Sequence, residues 1–390
     1  MNTTLLPGFE SRRVDVDGVT VNCAVAGSGP PVLMLHGYPE NHLMWRHVAP
    51  AIAEDHTVVL ADLRGYGDSG KPAPDAAGEV YSKRSMARDQ VGLMRALGFT
   101  GFGLVGHDRG ARVSHRLTLD HPGAVTRLAI LDIVPTRHVY GHVTREMATA
   151  YYHWFFLPLR HGVPEHMIGA DPGFWVNSIV GPLLGPGASI DPDVLADYIR
   201  CFSDPATIAG SCADYRSGAS LDLVHDDETY DSGQRIECPV LVLWGTQGFV
   251  GRGYEPLSVW QDYAADVRGG ALPTGHFIPE EAPGLVIAAL RDFLAGSASL
   301  PSTPCLPSSS PTTTRATAPP SCSFTDIRST GACGRLSWPC SGTVSGSSSP
   351  TCAATARARS LPAPSPWPSS PPTSATCWTA RRSPPRPWSA

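Results

Sequence analysis

Apolar and polar positions change rhythm along the first 300 residues in a way that separates strands from helices. The stretch "VDVDGVTVNCAVA" from Val14 alternates about Asp17-Gly18, a pair suited to a tight reversal, and predicts a β-hairpin. Solid apolar runs follow at Val32–Leu35, Val58–Ala61, Phe102–Val105, Leu128–Leu131 and Val240–Trp244. Between them lie helical patterns: "SMARDQVGLMRALG", with Ser85 as the expected cap, and Ala111–Asp120, stopped by His121-Pro122. Strands apolar on both faces that alternate with helices predict an α/β fold, a mostly parallel sheet covered on both sides.

From Val134 to about Gly233 that rhythm stops. The stretch is aromatic and helical ("YYHWFF", "DPDVLADYIR") with no solid strand, and it is expected to be a cap inserted over the site. The expected organisation is a core of residues 1–133 and 233–296, a helical cap of 134–232, and a Pro/Ser/Thr-rich tail of 297–390. The tail buries too little apolar surface to offset its chain entropy and is expected to be disordered. Its mixture of Pro, Arg, Ser, Ala, Thr, Cys and Trp also fits GC-rich DNA read out of frame, which makes a frameshift product the alternative to a genuine linker.

Charge changes at the same boundary. Eight arginines against one aspartate give the tail +7, so residues 1–296 carry −12 within a chain of net −5. An acidic folded part argues against nucleic acid as its partner. Of ten cysteines, Cys23, Cys201, Cys212 and Cys238 precede the tail without metal-ligand spacing, which points to a reduced, cytoplasmic protein with no metal and no cofactor. No charged-then-apolar leader and no membrane-length run is visible, so no membrane role is expected.

Candidate chemistry centres on "GLVGHDRGARVSHR". Gly106-His107-Asp108-Arg109-Gly110 has the outline of a strand-to-helix elbow that lifts a nucleophile out of the sheet, with aspartate at its apex. Asp108 could instead be a plain helix cap. A carboxylate attacking an ester gains nothing by making an anhydride, whereas attack on a saturated carbon yields an ordinary ester, so aspartate points to an alkyl halide or an epoxide. Hydrolysis of that ester needs a base, and among fourteen histidines His276 stands on the loop after the last strand, where the fold would place one. The loop "GTQGFVGRGYE" offers no acid before Glu255, so Asp132, at the end of an earlier strand, is the expected orienting carboxylate, or else a loop acid. Arg112 stands four residues after Asp108 and three after Arg109, so one turn of helix brings both guanidiniums to the elbow, where they suit a small anionic substrate, or else pair with cap acids such as Asp214.

"HGYPENHLMW", "ADLRGYGDS", "GHDRGARVSHR", "LDIVPT", "YYHWFF", "GSCADYRSG" and "GHF" occur in order between Phe9 and Leu294, and together they resemble the haloacetate dehalogenases, including fluoroacetate dehalogenase, of the α/β-hydrolase fold. The resemblance implies Asp108 as nucleophile, His276 as base, Asp132 as its acid, and Arg109 and Arg112 on the substrate carboxylate. It further implies halide donors in His153, Trp154 and Tyr215, a trio that chain pattern alone reads equally as aromatic core, and an oxyanion hole from the backbone amides of Tyr38 and Arg109. The partners implied are a small halo-acid, water and a second copy of the chain in a homodimer. One departure stands out: where relatives carry a cap tryptophan, this chain reads Gly181-Pro182-Leu183-Leu184, which leaves substrate size and C–F cleavage open. Two other functions compete: an epoxide hydrolase of the same fold, using tyrosines among Tyr151, Tyr152 and Tyr215, and a hydrolase-fold protein that only binds a small ligand.

Overall fold

A computed structural model of the chain describes residues 5–296; the expected tail, 297–390, lies outside the described residues. Eight strands form one sheet: β1 (Glu10–Val16), β2 (Val19–Ala26), β3 (Pro31–Leu35), β4 (Thr57–Ala61), β5 (Phe102–His107), β6 (Val125–Leu131), β7 (Val240–Gly245) and β8 (Val267–Leu272). Their order is β1-β2-β4-β3-β5-β6-β7-β8, with antiparallel pairing only at β1-β2 and β2-β4. The hairpin turns at Asp17 (φ 50) and Gly18 (φ 84), the positive pair that matches strand twist.

The inner strands follow from their solid apolar runs. Every residue of β5 is buried, as are the last four of β3 and β4. A buried Leu or Val side chain contributes about 1.5–3 kcal/mol, so central strands such as these dominate the core's stability. Helices Lys83–Ala96 and Asp108–Asp120 pack on the sheet and on each other. Helix starts differ from the expectation. Ser82, extended at ψ 150, accepts from Ser85 N–H, so the first helix begins one turn before the apolar period shows it. The second begins at Asp108 itself rather than at Ala111.

Between β6 and β7 the chain is helical, from Thr136–Gly141 to Leu221–Asp231, with no strand. Since β5, β6, β7 and β8 run parallel, their carboxyl ends lie along one edge of the sheet, the edge where open α/β sheets gather their chemistry. Among the described residues no helix is long and apolar enough to cross a membrane.

Candidate active site

The strand-to-helix turn after β5 closes tightly because it lacks side chains on its inner side. A Cβ on Gly110 would sit 2.5 Å from the carbonyl oxygens of Leu35 and His36, and Gly110 N–H instead donates to His36 at 2.9 Å. Asp108 takes φ 45, a strained value that aims its carboxylate off the sheet at the start of a helix. Burial pushes this carboxyl up, but His276, Arg112, His107 and Arg109 outweigh that and hold its pKa at about 2. Its Oδ1 accepts from Tyr38 N–H at 3.0 Å, which leaves Oδ2 toward His276, 3.9 Å from Nε2.

His276 reaches this position through another close approach. A Cβ on Gly245, the last residue of β7, would lie 1.9 Å from the Gly275 carbonyl oxygen, so the histidine loop crosses the end of β7 only because residue 245 is glycine. Asp132 (φ 52) follows β6; its Oδ1 accepts from Gly245 N–H at 2.9 Å and its Oδ2 lies 2.6 Å from His276 Nδ1. That contact puts the ring proton on Nδ1 and leaves Nε2 to accept one. Behind the pair, His107 contacts the His276 carbonyl and Glu40. Burial disfavours its charged form, yet Glu40 above all raises its pKa to about 9.

The two arginines diverge. Arg112 lines the cavity with its guanidinium 4.5 Å above the Trp154 ring; Nη1 donates to the Val134 carbonyl and Thr136 Oγ1, both at 3.0 Å, and Nε is buried without a partner. Arg109 does not line the cavity, contrary to the expectation that it holds a substrate carboxylate. Its Nε and Nη2 bond Asp214 Oδ2 and Oδ1 at 2.8 and 2.5 Å, and its guanidinium stacks 4.1 Å from the Tyr215 ring centre. The physical reason is charge: Asp214, buried on helix Pro205–Gly218, also accepts from Lys83 and Tyr66, so it is the anion around which two buried cations gather.

The helical side of the cavity brings Tyr151, His153, Trp154 and Tyr215 together with Ile179 and Leu183. His153 stacks on Tyr38 at 6.0 Å and 11°, and burial lowers its pKa to about 3, so it is neutral. The hydroxyls of Tyr151 and Tyr215 are buried without a hydrogen-bond partner among the described residues. The cavity is narrow, with a volume of about 10 Å³.

Residues 30–283 match the model of the alpha/beta hydrolase fold family. The chain belongs to the α/β-hydrolase fold family. Within it, the chain is haloacetate dehalogenase-like: it is 48% identical over 301 residues to a fluoroacetate dehalogenase of Burkholderia sp, covering 76% of this chain and 97% of that one. It is 33% identical over 285 residues to a soluble epoxide hydrolase of Corynebacterium sp. (strain C12), covering 72% and 95%. Among solved structures, ALR0039 of Nostoc sp PCC 7120 superposes with TM-score 0.72 at 50% identity, over 74% of this chain and 98% of that one.

In this α/β hydrolase, sequence reasoning singled out Asp108, Asp132, His276, Arg112, His153, Trp154 and Tyr215, which line one cavity, and left Arg109 open between substrate and Asp214, the second of which its side chain meets. It missed Ile179 as a wall residue, and it missed Trp175, whose Nε1 donates to the Tyr38 hydroxyl at 2.6 Å and so steadies the ring under His153. Helical spacing from Trp175 to Ile179 and Leu183 was the available signal. In the segment Gly181-Pro182-Leu183-Leu184, Leu183 gives the cavity an aliphatic wall.

Proposed function

We propose that this hydrolase removes the halide from a small haloacetate, fluoroacetate or chloroacetate, giving glycolate and halide through an ester on Asp108. The observation that carries the reading is Asp108 itself: its carboxylate is held ionised, with Oδ1 on Tyr38 N–H and Oδ2 facing His276 across 3.9 Å. Oδ2 attacks the α-carbon as the carbon–halogen bond breaks, and the halide departs with the electron pair. Arg112 holds the substrate carboxylate, and its buried unpartnered Nε and its ring-backed guanidinium favour an anion there. His153, Trp154 and Tyr215 donate to the departing halide, replacing its water.

In the second step His276 Nε2 takes a proton from water, and the hydroxide adds to Cγ of Asp108. Oδ1 becomes the oxyanion, facing the amides of Tyr38 and Arg109. Collapse expels glycolate, protonated by His276, and restores the carboxylate; the net reaction consumes one water and releases one proton. Residues 1–133 and 233–296 act as the catalytic core and 134–232 as its cap. Exposed apolar side chains on the neighbouring helices Val163–Ala170 and Pro172–Leu183, with Phe174 71% and Met167 59% exposed, suit a homodimer contact. The free Cys23, Cys201, Cys212 and Cys238 support a cytoplasmic location.

A second reading, epoxide opening, is favoured by the unpartnered Tyr151 and Tyr215 hydroxyls, which would activate the ring oxygen. It leaves Arg112 facing a neutral substrate. Purified full-length protein given fluoroacetate, chloroacetate and an uncharged epoxide in parallel separates the readings. Halide release is expected from one or both acids; diol formation alone would transfer the site to epoxides, and tight binding without turnover would make it a ligand-binding protein.

A further inference from the structure

The catalytic cavity is narrow, about 10 Å³, so a substrate enters it past the side chains that line it. Larger hollows lie elsewhere on the described residues, and those that follow differ in one respect. The groove between Pro74 and Arg216, about 430 Å³, and the small one around Arg64 share no wall with the catalytic cavity. The third, about 310 Å³, shares three residues with it: His153, Ile179 and Leu183. Ile179 and Leu183 are four apart on helix Pro172–Leu183 and present one face, so together with His153 they form a partition one side chain thick. The Leu183 carbonyl accepts from His276 N–H at 2.8 Å, so opening the partition is a matter of side-chain rotation rather than backbone movement.

The chemistry of the outer hollow is as specific as its position. Its walls include Thr149, Ser178 and Gln247 and no carboxylate, although residues 1–296 carry net −12. They also include one guanidinium, Arg252, which is exposed on helix Phe249–Gly253; Nε donates to the Gly248 carbonyl at 3.3 Å and no acid pairs with it among the described residues. An acidic protein repels a halo-acid over most of its surface, and a carboxylate-free hollow with one cation focuses the anion at this opening.

We propose that this hollow is the antechamber of the catalytic cavity: a small carboxylate anion is drawn to Arg252 and passes between Ile179 and Leu183 to Asp108, and the products leave the same way. The proposal rests on the haloacetate reading above. Neither Arg252 nor Thr149 touches the catalytic cavity, so both can be changed without altering it. Thr149, on the exposed side of helix Arg145–Ala150, tolerates a larger side chain that fills only the outer hollow.

Steady-state halide release from chloroacetate by the full chain tests it. Arg252→Glu is expected to lower kcat/KM about three- to tenfold at low ionic strength, with the gap closing in high salt. Thr149→Trp is expected to lower kcat/KM about tenfold at any ionic strength, with the single-turnover rate at saturating substrate unchanged, because bulk in a passage slows entry and not chemistry. Turnover by the parent protein with both variants indistinguishable from it would overturn the antechamber while leaving the haloacetate reading intact. No halide release by the folded parent protein would overturn both.

Discussion

On the sheet side of the cavity each reacting group is tied down: Asp108 by Tyr38 N–H, Asp132 by Gly245 N–H, and His276 by Asp132. On the helical side Tyr151, His153, Trp154 and Tyr215 touch one another through ring contacts at 5.7–6.4 Å, and two of their hydroxyls have no partner. On the proposed reading the sheet fixes a nucleophile that attacks the substrate and a base that then directs water at the nucleophile's own carboxyl carbon, so the two must hold their spacing through both steps. On the same reading the helices hold donors whose partner arrives only when a leaving group develops charge, and donors already satisfied by protein could not serve it.

Breaking the sheet side should have the largest effect. His276→Asn is expected to lower kcat about 10³- to 10⁴-fold while leaving one equivalent of halide released per protein, since alkylation of Asp108 needs no base. Intact-protein mass spectrometry after exposure to chloroacetate should show one added carboxymethyl group on Asp108. An unmodified Asp108 in folded protein would sink the ester mechanism.

The bridge between the two sides comes next. Asp214 joins helix Pro205–Gly218 to Lys83 and Arg109 on helices Lys83–Ala96 and Asp108–Asp120, all three side chains being buried. Asp214→Asn leaves two buried cations without their anion and is expected to cost about 3–5 kcal/mol, read as a lower urea midpoint. A loss below about 1 kcal/mol would show the cluster to be replaceable and would free Arg109 for substrate.

Tyr215→Phe tests the helical side alone. Losing one donor to the departing halide should lower kcat about 10²-fold for fluoroacetate and less for bromoacetate, whose leaving ion demands less solvation. An equal loss for both would assign Tyr215 to packing over Arg109 instead.

The same contrast explains what could be read from the chain. Asp108, Asp132 and His276 follow strands whose apolar runs are visible, and glycines mark the tight turns, so local pattern places them. Arg109 shows the limit: its spacing from Asp108 puts it at the elbow, and Asp214 could be named as a rival partner, but the choice between substrate and an acid 105 residues away depends on packing that no local pattern decides. Ile179 and Trp175 escaped for a similar reason, because cap helices lack the register that a sheet imposes and their facing sides depend on packing. The solid runs gave the mostly parallel sheet directly, whereas helix starts depended on caps, and Ser82 precedes the apolar period that would announce it.

The smallest effect should come from His107, which lies on the sheet side behind the reacting groups. Burial lowers its affinity for a proton, but Glu40, 3.1 Å away, together with Asp108, raises the pKa from 6.5 to about 9. A histidine raised on folding contributes stability in full below its unfolded pKa and loses it as pH rises through the folded value. Stability should therefore decline between pH 7 and 9 by up to about 2 kcal/mol. His107→Gln removes the titrating group while keeping an amide donor beside Glu40, so its unfolding midpoint should vary less over that interval than that of the parent protein. If the two curves run parallel, His107 is neutral in the folded protein, and Asp108 is then held ionised without a charge on the ring behind it.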